Sequence, residues 1–331
     1  MRRDESGIIL ASVLWTMILL SLMALAIGRY TGGQAWYMAN AVGRVKAYAA
    51  ARSGMSYALN LLAHSDAKCA GLALCGIDTE GEDPESFFKN IKVGARARAD
   101  IAYVTRGYTA DGSARVVYGF SDEGRRVNLN AINAGNMAIL VGLLTQAGLA
   151  APQANLAAAC AVNWADAGAT GTGDAKLKKR PYDSVDELLV CEGMTVEALG
   201  RIREFLTVFP KESGAQLNFN SATISNNVAL AFYAQLSPSA SGAAAGDLMR
   251  QLAVLRDGPD GLPFTLDDGK ALAASAFARQ YPFADLNIGK SLWRVRVVGT
   301  DENTGMKAVV EAVVEKKSSD SWPLIKEWHR E

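Results

Sequence analysis

The chain has 331 residues, of which 50% are hydrophobic, and its formal net charge is zero. This apolar fraction excludes wholesale disorder, and the length allows two or three packed domains. Zero net charge argues against a general nucleic-acid binder, and the only two histidines, His64 and His329, argue against histidine-dependent catalysis. The hydrolase motif G-x-S-x-G does not occur, and we expect no enzyme activity.

Residues 8–27 form an uncharged apolar run that is about long enough to cross a bilayer as one helix. Arg2 and Arg3 precede the run, which favours a cytoplasmic N-terminus and a body on the other side of the membrane. A secretory signal peptide would have a shorter apolar core with a cleavage site after it. Here the small residues Ser6 and Gly7 lie before the run, so that cleavage there would leave the apolar helix on the mature protein. An ordinary membrane anchor is the alternative.

Residues 28–63 are predicted to continue this helix, because alanine is abundant and apolar residues recur at spacings of three and four. The predicted buried face comprises Val42, Val45, Tyr48, Ala49, Met55, Leu59 and Leu62. Gly43 and Gly54 lower the helix propensity and are predicted to mark bends.

Strands are predicted in two parts of the chain, 64–130 and 291–331. In the first, residues 64–90 have a loop-like composition, and segments 97–108 and 114–123 then alternate as a β-hairpin around a turn at 109–113. In the second, segments 291–299 and 306–315 predict a closing hairpin, followed by a tail. Trp322 and Trp328 in this tail are expected to be surface or core residues and not a site.

Two N-ϕ-N motifs, at 128–130 and 218–220, each follow an apolar strand and precede a helical run. Asparagine suits turns and helix N-caps because its side chain accepts hydrogen bonds from free backbone N–H groups, so both motifs are predicted to be structural. They divide the middle of the chain into a helical insert, residues 131–213, and a second segment, residues 214–290. In the second segment, helices are predicted around 222–236, 245–256 and 268–280.

Within the insert, helices are predicted at 137–149 and 155–166, followed by a helix–hairpin–helix. Ser184 and Glu187 predict a capping box, Gly193 lies in the turn, and Thr195 caps the second helix. In DNA-binding versions of this motif the hairpin backbone contacts a phosphate. Acidic residues surround this hairpin and would repel phosphate: Asp183, Asp186, Glu187, Glu192 and Glu197. We therefore interpret it as a packing unit; a membrane-anchored, competence-type DNA-binding protein is the alternative function.

The four cysteines, Cys69, Cys75, Cys160 and Cys191, are an even number in a chain predicted to lie outside the cytoplasm, which favours disulfides. Cys69 and Cys75 could close a short loop, leaving Cys160 and Cys191 as the second pair. Four cysteines allow three pairings, and the sequence does not choose among them. The alternative is that Cys160 and Cys191 are small buried hydrophobic residues.

A resemblance to a known family spans nearly the whole chain. It is carried by GRRVNLNA (124–131), Trp164-Ala165-Asp166, DSVDELLVCEGMT (183–195) and LNFNSA (217–222). In their order and spacing these motifs are similar to those of the minor pseudopilin K family of the type II secretion system. The short basic leader, residues 1–7, which ends in glycine before an apolar helix, resembles the processing signal of pilins and pseudopilins.

The resemblance implies an α+β fold, in which an N-terminal transmembrane helix packs on a pilin-like antiparallel sheet and a large helix–hairpin–helix-like domain is inserted. It implies cleavage by a prepilin peptidase between Gly7 and Ile8, and N-methylation of Ile8. The protein would cross the inner membrane once, with a periplasmic body that caps the pseudopilus tip and supports export across the outer membrane. The implied partners are the other minor pseudopilins, the major pseudopilin and the inner-membrane secretion platform, and not nucleic acid.

Two positions deserve comparison with the pseudopilin pattern. Most pseudopilins have glutamate as the fifth mature residue, and Ser12 stands there in this chain, as is typical of the K members, which lack the glutamate. The family often has a calcium-binding loop after Trp-x-Asp, and Asp166 and Asp174 are the candidate ligands here. Four basic residues in or beside the loop oppose a bound calcium ion: Lys176, Lys178, Lys179 and Arg180.

Overall fold

The structure, a computed structural model, describes residues 5–64, 84–105, 115–168, 177–211, 217–218, 284–285, 292–317 and 321–330, with positions 254 and 259. The architecture is α+β, with a long N-terminal helix on an antiparallel sheet and a helical insert, which confirms the predicted fold class. The turn at 109–113 and the helices predicted around 222–236, 245–256 and 268–280 lie outside the described residues, apart from the isolated position 254.

The helices are α1 (Glu5–His64), α2 (Ala138–Gln146), α3 (Ala151–Ala165) and α4 (Val196–Ile202), with short 3-10 helices between them. The strands are β1 (Ile91–Gly94), β2 (Ala97–Thr105), β3 (Arg115–Tyr118), β4 (Ser121–Asp122), β5 (Val127–Asn128), β6 (Leu206–Thr207), β7 (Leu217–Asn218), β8 (Ala284–Asp285), β9 (Leu292–Asp301), β10 (Lys307–Glu315) and β11 (Leu324–Arg330).

The first helix, α1, is a single element of 60 residues, so the apolar run and the segment after it are continuous, as predicted. Within the described part of the chain it is the one helix long and apolar enough to cross a membrane. The most apolar window of α1 is 0% buried. The C-terminal part of the same helix packs on the sheet, chiefly against β9, β2 and β10.

The buried face of α1 agrees with the predicted one at Met55 and Leu62, and Tyr48 and Leu59 pack against it, but it differs at the N-terminal end. Val42 and Val45 are 51% and 68% exposed, and small residues take the face against the sheet. That face comprises Ala47, Ala50, Ala51, Met55, Ala58 and Leu62. The reason is close approach: a Cβ atom on Gly54 would lie 2.6 Å from the Cβ of Ala99. Gly54 is therefore a contact point between helix and sheet, and Gly43 lies against Thr304 in the turn between β9 and β10.

The main sheet has the order β1-β2-β9-β10-β11, with β3 paired to β2 and β4 paired to β9. Its described pairs are antiparallel, and both predicted hairpins, β2–β3 and β9–β10, are confirmed. The tail interpretation was incomplete, because β11 adds a strand that pairs with β10 from Val310↔Arg330 to Glu315↔Leu324. Most residues of β11 are exposed, so its sequence lacks the alternation that identifies a half-buried strand.

The sheet separates two hydrophobic cores. On one face, Val295, Val310 and Ala312 pack with α1. On the other, Leu292 and Val313 join the core of the insert, which is built mainly from α2, α3, α4 and the segments around them. The two insert helices predicted at 137–149 and 155–166 are confirmed as α2 and α3. Alternate residues of β10 thus connect both halves of the molecule.

Candidate functional site

Three hydroxyl groups in the apolar part of α1 donate hydrogen bonds to carbonyl groups of the same helix. Gly7 and Ile8, the predicted cleavage residues, lie at the start of the helix. Ser12 Oγ donates to the carbonyl oxygen of Ile9 at 2.8 Å, and Thr16 and Ser21 bond back to their own helix in the same way. Because Ser12 has an internal acceptor, this position needs no partner from another chain to lie in lipid.

Beyond the apolar run, α1 presents large exposed side chains before it reaches the sheet. Trp36, Tyr37 and Met38 are 62%, 71% and 71% exposed. The rings of Trp36 and Tyr37 contact each other edge to face, with centroids 5.2 Å apart. Within the described residues nothing covers this stretch, so the apolar surface of α1 continues beyond the apolar run.

A buried ion network joins the sheet to the base of the insert. Glu123 is 0% exposed, and its carboxylate accepts from Arg294 Nε at 2.8 Å and from Thr207 Oγ1 at 2.5 Å. Arg294 also bonds Glu311 at 2.5 Å through Nη1. Burial alone would raise the pKa of Glu123, but attraction to Arg294 and Arg126, with the hydrogen bonds from Arg294 and Thr207, lowers it to about 2.

The first N-ϕ-N motif fastens the start of the insert to its middle and its end. Asn130 accepts from the backbone N of Tyr182 at 2.6 Å and donates to the carbonyl oxygen of Val208 at 2.8 Å. Asn128 donates to the carbonyl oxygen of Pro210 at 2.8 Å, and its Oδ1 accepts from the backbone N of Asn130 at 2.9 Å. The structural role predicted for this motif is confirmed.

The second N-ϕ-N motif starts from the same backbone arrangement. β5 pairs in parallel with β6, through Asn128↔Thr207, where the insert closes. β7 pairs in parallel with β8, through Asn218↔Asp285, on either side of residues 219–283. At the first asparagine of each motif, the strand pairs in parallel with a two-residue strand that follows much later in the chain.

The hairpin of the insert is capped as predicted. Ser184 and Glu187 form the capping box, and Thr195 accepts from the backbone N of Ala198. The first helix, Val185–Val190, is a 3-10 helix and not an α-helix. Gly193 has φ +88°, and a Cβ there would lie 2.9 Å from the carbonyl oxygen of Gln153 on α3. The turn therefore packs on α3, which agrees with its interpretation as a packing unit.

Cys160 and Cys191 lie together in the insert core as free thiols. Burial, and then a hydrogen bond with Cys160, raise the pKa of Cys191. The structure thus brings one of the possible pairs into contact without a bond between the two sulfurs. Cys69 and Cys75 lie outside the described residues, so their pairing stays a prediction.

The candidate calcium ligands are not brought together in the described residues. Asp166 ends α3, and its Oδ1 accepts from the backbone N of Gly168 at 2.8 Å. Asp174 lies outside the described part of the chain. Lys178 Nζ bonds Asp183 at 3.0 Å and Glu187 at 2.8 Å, so an ammonium group neutralises these neighbouring carboxylates. Among described residues no group of three His, Cys, Asp or Glu side chains could hold a metal ion.

Two comparisons with known proteins found no relative. No family model matches the chain, and no curated protein matches it. A solved structure does match, the crystal structure of the GspK-GspI-GspJ complex from the enterotoxigenic Escherichia coli type 2 secretion system. The TM-score is 0.51 at 12% sequence identity, over 91% of this chain and 99% of that chain. At this identity the likeness shows the fold, a long N-terminal apolar helix with an antiparallel sheet and helical parts.

Proposed function

We propose that this protein is a minor pseudopilin of the type II secretion system, which caps the tip of the periplasmic pseudopilus and supports export across the outer membrane. The observation that carries the proposal is the division of α1 into a bare apolar part and a part covered by the sheet. Such a helix can anchor the protein in the inner membrane and then pack beside the helices of other subunits. The likeness in fold to a chain of the GspK-GspI-GspJ complex supports the same role.

The position of the insert suits a subunit at the tip. The insert core is on the face of the sheet opposite α1, so it adds bulk to the body without covering the helix. We infer that the helix packs with the other minor pseudopilins and the major pseudopilin, while the insert prevents another subunit from adding above. The exposed side chains of Trp36, Tyr37 and Met38 are candidates for contacts along the helix.

Ser12 fits the same position. In other pseudopilins a glutamate at this place is thought to pair with the N-terminal amine of a neighbouring subunit, and a tip subunit has no neighbour above it. A carboxylate in lipid without that partner would be costly, whereas the Ser12 hydroxyl bonds Ile9 within α1. We expect Ser12→Glu to impair secretion and Ser12→Ala to leave it unchanged. Equal secretion by both variants would contradict this explanation of Ser12, but it would not contradict the proposal that the protein is a pseudopilin.

The test of the proposal is the intact mass and N-terminal sequence of the protein from inner membranes. We expect the chain to begin at N-methyl-Ile8 when the prepilin peptidase is active and at Met1 when the peptidase is deleted. Gly7→Val should block the cleavage. Gly28→Ala is a matched control, because a Cβ at Gly28 would meet nothing within 4 Å. A chain that begins at Met1 in peptidase-positive cells would overturn the proposal and leave an ordinary membrane anchor.

The hairpin separates this proposal from the DNA-binding alternative. Gly193 packs on α3, and the acidic side chains of Asp186, Glu192 and Glu197 lie around the hairpin. We expect the protein to pass through a DNA column at moderate salt. Retention there, lost when Gly193 is replaced, would favour the DNA-binding function.

A further inference from the structure

A cleft of about 410 Å³ lies between the insert and the outer strands of the sheet. The insert contributes Asp186 and Arg203, the sheet contributes Arg294, Glu311 and His329, and Arg126 comes from the connection between them. The cleft therefore lies directly on the buried ion network that joins these two parts. None of the contacts described for the proposed membrane anchor uses it.

Arg126 differs from the other arginines in the cleft because its charge is poorly matched. Its side chain is only 12% exposed, and within the described part of the chain its one ion pair is with Glu123 at 3.8 Å, beyond hydrogen-bond distance. The Nε atom of Arg126 is buried, with no hydrogen-bond partner among the residues that the structure describes. Arg294, by contrast, bonds Glu123 through Nε and Nη2 and Glu311 through Nη1.

Glu123 does not hydrogen-bond Arg126, because its Oε2 lies 3.8 Å from Arg126 Nη1 while the carboxylate accepts from Arg294 and Thr207. Burial and then repulsion from Arg294 lower the pKa of Arg126, and attraction to Glu123 and Glu311 only partly offsets them. A buried guanidinium without acceptors is costly, whereas one that binds a carboxylate gains strong charge-assisted hydrogen bonds. The open space beside Arg126 is the cleft itself.

The cleft also limits which anion can enter. Asp186, Glu204, Glu311 and Glu327 line it and would repel a ligand with several negative charges. Arg203 lies at the rim, 59% exposed, and is already paired with Asp186 at 2.6 Å. His329 is paired with Glu327 at 3.0 Å. These surroundings favour a single carboxylate over a phosphate or a polyanion.

We infer that this cleft is a binding site for a carboxylate, held by the guanidinium of Arg126. The carboxylate is either that of a small free acid or an acidic side chain of a neighbouring subunit, and the second source rests on the proposed pseudopilin function. Either one would bridge the insert and the sheet and fix their relative position.

The first experiment is thermal unfolding of the purified full chain in detergent micelles, with sodium butyrate titrated at constant ionic strength. We expect a saturable rise of the melting temperature with butyrate and none with butyramide, which has the same shape but no charge. Arg126→Leu should weaken butyrate binding by about tenfold or more, because it removes charge-assisted hydrogen bonds. Arg203→Gln is the matched control in the same cleft and should retain the rise.

The second experiment tests a carboxylate from a subunit. The chain is co-expressed with the other minor pseudopilins, and the amount that co-purifies is compared for wild type, Arg126→Leu and Arg203→Gln. A loss specific to Arg126→Leu, without a butyrate effect, assigns the site to a neighbouring subunit. If neither experiment separates Arg126→Leu from Arg203→Gln, or if butyramide acts like butyrate, the inference is overturned. The N-terminal mass tests the proposed function independently of both results.

Discussion

Lys316 caps the C-terminus of α1 from 254 residues away. Its Nζ donates to the carbonyl oxygen of Leu62 at 2.7 Å and to that of Ala63 at 2.9 Å, and the residue is 1% exposed. The last carbonyl groups of a helix have no partner inside the helix, and a cation there also interacts favourably with the helix dipole. The chain after β10 thus holds the end of the long helix against the body.

We expect Lys316→Met to lower the free energy of unfolding by about 2–4 kcal/mol, because it removes two charge-assisted hydrogen bonds to the end of α1. Lys317→Met is the matched control, since Lys317 is 74% exposed and pairs only at 3.9 Å with Glu315. Urea unfolding followed by circular dichroism measures both. Similar losses for the two variants would show that the cap contributes nothing specific.

The lowered pKa of Glu123 predicts how the stability of the protein depends on pH. Its pKa is lowered to about 2 from the ordinary 4.5, so the ionised carboxylate stabilises the fold above pH 4.5, and this contribution is lost as the pH falls towards 2. The shift corresponds to about 3 kcal/mol. We expect Glu123→Gln to be less stable at pH 7 and to lose less stability between pH 4.5 and 2. Unfolding curves across this range test the expectation, with exposed Glu197→Gln as the control.

Asn130 is predicted to contribute more to stability than Asn128. Its side-chain amide accepts from the backbone N of Tyr182 and donates to the carbonyl oxygens of Tyr182 and Val208. Asn130→Ala should cost about 2–4 kcal/mol, the sum expected for several buried hydrogen bonds. Asn155→Ala, which removes one hydrogen bond within α3, is the control.

Asn220 occupies the same place in the second motif. Asn220→Ala is expected to destabilise the protein similarly if both motifs have the same structural role. Thermal unfolding gives the comparison.

Cys160 and Cys191 are expected to form a disulfide in protein taken from an oxidising compartment. The bridge would remove two hydrogens, with the electrons passing to a thiol oxidase, and would close the loop 161–190 with a gain of about 3–4 kcal/mol. The raised pKa of Cys191 implies slow reaction once the insert is folded, so the bridge should form during folding. Peptide mapping without reduction is the measurement, and Cys160→Ser should leave Cys191 alkylated only after unfolding.

Calcium is expected to have little effect on this chain. Lys178 already neutralises Asp183 and Glu187, and Asp166 Oδ1 accepts a hydrogen bond from the backbone N of Gly168. We therefore predict the same melting temperature in EGTA and in millimolar calcium. A saturable rise with calcium that Asp174→Asn removes would restore the calcium site. Magnesium distinguishes a specific site from general screening of charge.

Short-range patterns in the sequence were enough to predict several elements correctly. The apolar run and its continuation as α1, both hairpins, the capping box at Ser184 and the turn in which Asn128 accepts from the backbone N of Asn130 all depend on residues close in the chain. The predicted face of α1 was right at Met55 and Leu62 but wrong at Val42 and Val45, because periodicity identifies apolar residues but not the distance to the partner. Close packing on the sheet selected Gly54 and Ala51 in place of larger Val45.

What the sequence by itself determined is local: where the chain is apolar enough to cross a membrane, where it turns, and which segments are helical or extended. Only the tertiary structure decided which distant groups meet. Glu123 and Arg294 are separated by 171 residues, and Lys316 and Leu62 by 254, so no local spacing relates them. The order of strands brings β9 beside β2 and β4, and this long-range pairing creates the ion network, the cap on α1 and the cleft beside Arg126.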